Sequence, residues 1–169
     1  MIGRCTRVLV AGIGNVFQGD DAFGVEVARK LARERFPEGV RVVDFGIRGV
    51  HLAYDLLDEP DALVLVDAMS RGESPGTVFV FEPTVAELDT GDPLDAHSLN
   101  PAAVLRLATG LGARLGWVRV VGCEPADVTE RMGLSAPVAH ALGTATRLVR
   151  ELAMGAVSRT LEASRGDGP

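Results

Sequence analysis

A short apolar strand that runs into two glycines and then two adjacent acids, with an amphipathic helix directly behind, leaves a chain few ways to fold. Val8-Leu-Val-Ala11 reads as a buried strand, and Gly12 and Gly14 break it. A loop leads to Asp20 and Asp21, and beyond Gly24 the apolar residues Val25, Ala28, Leu31 and Ala32 recur at helical spacing. A strand, a glycine turn and a helix in this order belong to an open α/β sheet. The loop then lies at the carboxyl edge of the strands, where such sheets keep their sites.

A dinucleotide site does not fit that loop. Gly12 and Gly14 match the start of G-x-G-x-x-G, but the third glycine position is Phe17. Two carboxylates would also face the phosphates, at a repulsion of roughly 1 kcal/mol per close pair in water and more when desolvated. Acid at this edge suits a metal, a general acid–base pair or a cationic ligand. The plainer alternative is helix capping: Asp20 has the chemistry of an N-cap, and Asp21 lies near the positive end of the helix dipole.

The length of 169 residues fits one domain with a full core. The domain is expected over residues 1–157, with 158–169 a frayed tail. A net charge of −6 speaks against general binding to nucleic acid. Aromatic residues at 5% argue for a tightly packed core and against a base-stacking platform. Cys5 and Cys123 are the only cysteines and share no Cys-x-x-Cys spacing, so a structural zinc site is not expected. With no secretory leader and no run of membrane-spanning length, the expected location is the cytoplasm, away from any membrane.

Further along, Val40 to Phe45 form a second strand, and Ala62 to Met69 a third whose Leu63 to Val66 are continuously apolar, as for a strand covered on both faces. Asp67 closes that third strand at the carboxyl edge. A carboxylate there is an N-cap or turn residue, or it has a chemical task, because an unpaired buried acid is costly. Thr77 to Phe81 follow too soon for a helical crossover, so this strand is expected antiparallel to the third. Residues 83–99 make a long polar loop carrying His97 among aspartates; loops of that length are usually functional or mobile. A helix after Pro101, a last strand from Trp117 to Cys123 and a final helix from Ser135 complete the pattern. His51 and His140 read as surface or structural residues.

Taken together, these segments resemble the hydrogenase maturation proteases over about Arg7 to Leu152. The resemblance rests on Gly12-Ile-Gly-Asn-Val-Phe-Gln-Gly-Asp-Asp-Ala-Phe-Gly-Val25, Asp44-Phe-Gly-Ile-Arg-Gly49, Val66-Asp-Ala68, His97, Val121-Gly-Cys-Glu-Pro125 and Gly133-Leu-Ser135. It implies an α/β fold, a three-layer α/β/α sandwich with a mixed, mostly parallel sheet of about five strands. It also implies an endopeptidase that trims the C-terminus of the nickel-loaded [NiFe]-hydrogenase large-subunit precursor. The metal-binding and catalytic trio falls on Asp21, Asp67 and His97. The first of these is often Glu in the family; Asp21 is one methylene shorter, which shifts a bound ion by roughly 1 Å.

Two carboxylates and an imidazole suit a borderline divalent ion. By the resemblance that ion is nickel carried by the substrate, with zinc or cadmium able to stand in. Asp44 and Arg48 are candidates for holding substrate beside the trio. A non-catalytic, nickel-sensing assembly chaperone on the same scaffold is the alternative, since a fold does not prove turnover.

Overall fold

The computed structural model describes residues 6–84 and 100–166. Five strands form one sheet: β1 (Val8–Ile13), β2 (Val40–Gly46), β3 (Ala62–Ala68), β4 (Val78–Phe81) and β5 (Trp117–Cys123), in the order β2-β1-β3-β5-β4. All neighbours are parallel except β4, which runs antiparallel along β5. The short Thr77–Phe81 connection therefore reverses direction as expected, but its strand pairs with β5 at the sheet edge and not with β3.

Strand alternation sorts the core into two halves. Val8, Val10, Val64 and Val66 face one side and pack with Phe23, Val27 and Leu31 of α1 (Phe23–Leu31). The same side carries Val138, Ala145 and Val149 of the final helix. Leu9, Ala11, Leu63 and Leu65 face the other side, with Leu52 and Leu56 around α2 (Gly49–Asp55) and Val104 and Leu105 of α3 (Pro101–Gly110). The result is the expected α/β/α sandwich. β3 is buried along almost its whole length, which explains its unbroken apolar run.

The first helix is shorter than its periodicity predicts. Residues 19–22 form a 3-10 turn, and α1 proper covers only Phe23–Leu31. At the other end of the chain, α4 (Ala136–Gly166) continues through Ser158, where the composition reads as a fraying tail.

The strand order fixes where a site can be. β1 lies between β2 and β3, so the chain leaves β1 in one direction and returns on its other side. The crossover through α1 packs on one face and that through α2 on the other. The carboxyl ends of β1 and β3 form the switch point of the sheet, the edge where the crevice of an open α/β fold lies.

Candidate active site

Glycines set the floor of this crevice. A Cβ on Gly24 would lie 2.1 Å from the carbonyl oxygen of Val66 and 2.4 Å from that of Ile13. A Cβ on Gly12 would lie 2.1 Å from the carbonyl oxygen of Gly24. Only bare backbone lets α1 begin directly on β1 and β3. Gly14 adopts a φ of +142°, open to glycine, and passes under the carbonyl of Asp21.

The loop between them is a short polar turn. The Asn15 side-chain oxygen accepts from the Phe17 N–H at 2.9 Å, and the Asn15 carbonyl from the Gln18 N–H at 3.1 Å. Oδ2 of Asp21 accepts from the Asn15 N–H at 2.8 Å. Asp21 thus points back over the end of β1 and is only partly covered. Asp67, the next-to-last residue of β3, is 6% exposed.

Electrostatics place these two acids together. Burial pushes the Asp67 carboxyl well above the usual carboxylate range, and the charge of Asp21 adds to the rise; a hydrogen bond from the Ala68 backbone opposes it. Burial also raises Asp21, against the Asn15 hydrogen bond. A buried carboxylate and a partly covered one near enough for their charges to interact attract a cation or share a proton.

The acidic doublet divides its roles. Asp20 is not a helix cap: neither the 3-10 turn, capped at Gln18, nor α1, capped at Ala22, has a side-chain cap bond. Asp20 is fully buried instead, against the loop between β5 and α4. Its Oδ2 accepts from the N–H groups of Ala126 (2.8 Å) and Asp127 (2.9 Å) and from the Ser135 hydroxyl (2.8 Å). Its Oδ1 accepts from the Ser135 N–H at 2.7 Å. Burial alone would raise this carboxyl, but the bonds from Ser135, Asp127 and Ala126 outweigh it and hold the pKa below the ordinary value. The carboxylate fills most of its lone-pair directions with donors, which makes its burial tolerable.

Backbone bonds complete the seam. The N–H of Gly19 donates to the Arg131 carbonyl (2.8 Å), that of Asp20 to Asp127 (2.8 Å) and that of Arg131 to Phe17 (2.9 Å). Phe17, Met132 and Val128 line the two joined loops with exposed apolar side chains, at 61%, 70% and 51% exposure. Behind them Glu124 is buried, with Oε2 accepting the Arg71 N–H at 2.6 Å; it anchors the connection from β3 to β4.

Arg48 and Asp44 do not pair through their side chains. The Asp44 carboxylate accepts from Arg29 at 2.9 Å, while the Arg48 guanidinium donates to the carbonyls of Asp44 (2.6 Å) and Phe45 (3.1 Å). His51 and His140 are exposed. His97 lies outside the described residues. Among those that are described, no cluster of three or more His, Cys, Asp or Glu side chains could hold a metal ion. Asp21 and Asp67 thus make an acidic pair, not a finished coordination shell.

A family model described as HycI, hydrogenase maturation protease, matches residues 25–151. The chain belongs to the hydrogenase maturation protease family. It is 33% identical over 132 residues to the hydrogenase expression/formation protein HupM of Azotobacter chroococcum; the match covers 77% of this chain and 63% of that protein. A putative hydrogenase maturation protease of Methanocaldococcus jannaschii is 32% identical over 146 residues, covering 84% of this chain and 93% of its own. Among solved structures, the hydrogenase maturating endopeptidase HybD of E. coli superposes with a TM-score of 0.73 at 27% identity, over 85% of this chain and 90% of that one. This family member is built on a mixed five-stranded sheet. Its described residues include no helix long and apolar enough to cross a membrane.

Proposed function

We propose that this chain is the endopeptidase that removes the C-terminal extension of a nickel-loaded [NiFe]-hydrogenase large-subunit precursor, with the substrate's nickel as the recognition element. The observation that carries the reading is the facing pair Asp21 and Asp67 at the switch point, each with its carboxyl pKa raised. Such a pair is unfavourable when both acids are charged and empty-handed, and an arriving cation relieves it.

Three protein donors, two carboxylates and an imidazole, would leave positions on the ion open. Two described carboxylates hold a free ion weakly, but they suit an ion that arrives with ligands from another molecule. His97, which the sequence reading adds to the pair, is the third donor in this reading. Engagement at the ion places the neighbouring peptide bond over the exposed rim of Phe17 and Met132. A buried carboxylate with a raised pKa is a stronger base than a solvated one. In this reading either a carboxylate of the pair acts as general base on the attacking water or the ion polarises the scissile carbonyl.

Support also comes from the family membership and from the word endopeptidase in the name of the E. coli relative. The test is a mass spectrum of a candidate large subunit after incubation with the purified chain. The wild type should remove a C-terminal fragment from nickel-loaded precursor and leave nickel-free precursor intact. Asp21→Asn, Asp67→Asn and His97→Ala should each leave the precursor whole. Processing by all three variants would end the proposal, and binding without trimming by the wild type would make the chain an assembly chaperone.

A further inference from the structure

Four donors converge on one buried carboxylate that the proposed chemistry does not use. Asp20 shares a single 3-10 turn with Asp21. Their side chains leave that turn in different directions: one into the loop of residues 126–135, the other over β1 to the Asn15 N–H. Successive residues of a 3-10 helix lie about a third of a turn apart, so fixing one side chain fixes the azimuth of the next. The 3-10 turn itself makes no side-chain cap bond, and its backbone is held from the same loop through Gly19 and Asp20.

We propose that Asp20 is a positioning residue: by clamping residues 126–135 it sets the direction in which the Asp21 carboxylate faces Asp67. Charge-assisted bonds are the strong kind, and three from backbone N–H groups with one from the Ser135 hydroxyl make a rigid fixture of one carboxylate. Among the described residues, the Asp21 carboxylate accepts one hydrogen bond, from Asn15, and as a proposed ligand it needs its remaining lone pairs open. A side chain that must stay half-unsatisfied cannot hold itself, so its orientation has to come from a neighbour. The inference rests on the protease reading only for its consequence in turnover; the geometric part stands apart from it.

The experiment is amide hydrogen exchange by NMR on the wild type and Asp20→Asn, followed by precursor cleavage. Asn keeps the shape but replaces an acceptor oxygen with an NH2 group that faces donors. The expected result is faster exchange at Ala126, Asp127 and Ser135 and also at Asn15, whose N–H donates to the Asp21 carboxylate. Faster exchange at 126, 127 and 135 with Asn15 unchanged would overturn the proposal, because the clamp would then hold a loop and nothing more. Should Asp20→Asn fail to fold, Ser135→Ala removes only the 2.8 Å hydroxyl bond and poses the same question at smaller amplitude.

In cleavage, Asp20→Asn should lose up to about 10²-fold in kcat/KM, the scale of a 1 Å misplacement. A core variant with an equal loss of stability, Val149→Ala, should keep wild-type turnover when assayed well below its Tm. Equal turnover by Asp20→Asn and wild type would also overturn the proposal. If the wild type does not cleave but Asn15 exchange still accelerates in Asp20→Asn, positioning stands and the protease reading falls.

Discussion

Substituting Gly24 with alanine tests how closely the first helix must sit on the sheet. The added Cβ would meet the Val66 carbonyl oxygen at 2.1 Å and the Ile13 carbonyl oxygen at 2.4 Å. Carbon–oxygen contacts are normally about 3.3 Å or more, so the clash is on the order of 1 Å. Both obstacles are backbone atoms of central strands and cannot rotate aside. Overpacking of this kind typically costs about 1–3 kcal/mol, and the upper end applies. Alanine returns about 0.5–1 kcal/mol of helix propensity. The net is a loss of roughly 2 kcal/mol, or about 4–8 °C in Tm for a chain of this size. Gly143 is the matched control: it is exposed in α4 and a Cβ there meets nothing within 4 Å. Gly143→Ala should gain about 0.5–1 kcal/mol. Calorimetry and guanidinium titration of both variants read the difference directly. A Gly24→Ala protein as stable as Gly143→Ala would refute the claim that bare backbone is required under the site.

Three more outcomes follow from the acids and the thiol. Asp67 has a raised folded pKa, so the native state binds the extra proton and stability falls as pH rises through the folded value. Asp67→Asn should remove that slope and raise Tm at pH 7, by about 2–4 °C for each 1 kcal/mol gained, while processing is lost; a lowered Tm would contradict the unfavourable burial. Asp20 has the opposite sign: its folded pKa is depressed, so its stabilisation is complete above the ordinary 3.8 and drains away as pH falls below it. Acid titration of Asp20→Asn should therefore show a shallower decline below that point than wild type. Burial, with Asp20 and Glu124 nearby, pushes the Cys123 thiol up to about 12, so it stays protonated. Iodoacetamide should modify it only after unfolding, as peptide mapping would show; labelling of the native protein at Cys123 would refute that environment.

The strands and their directions were legible because burial writes itself as composition: β3 is covered on both faces, and Leu63 to Val66 contain no polar residue. The pairing partner of β4 was not, because a short connection fixes the reversal of direction but not which strand lies alongside. Asp21 and Asp67 could be found from their places after β1 and β3. Asp20 could not be told from a cap, since its partners lie over a hundred positions away and no local pattern names them. The Gly133-Leu-Ser135 segment was the one available hint. Helix α1 begins late for a related reason: periodicity records which face is apolar, not where a 3-10 turn replaces the first α turn.

The seam between residues 15–21 and 126–135 has a temporal side. Its hydrogen bonds span sequence separations of 106 to 115 residues. Contacts so distant close late, because the intervening chain has to be ordered first. A growing polypeptide emerging from the ribosome therefore holds its two acids without their fixture until position 135 has been made and β5 has docked. A scissors whose blades align only once the handle is nearly complete has little chance to cut anything, its own unfinished neighbours included, ahead of time.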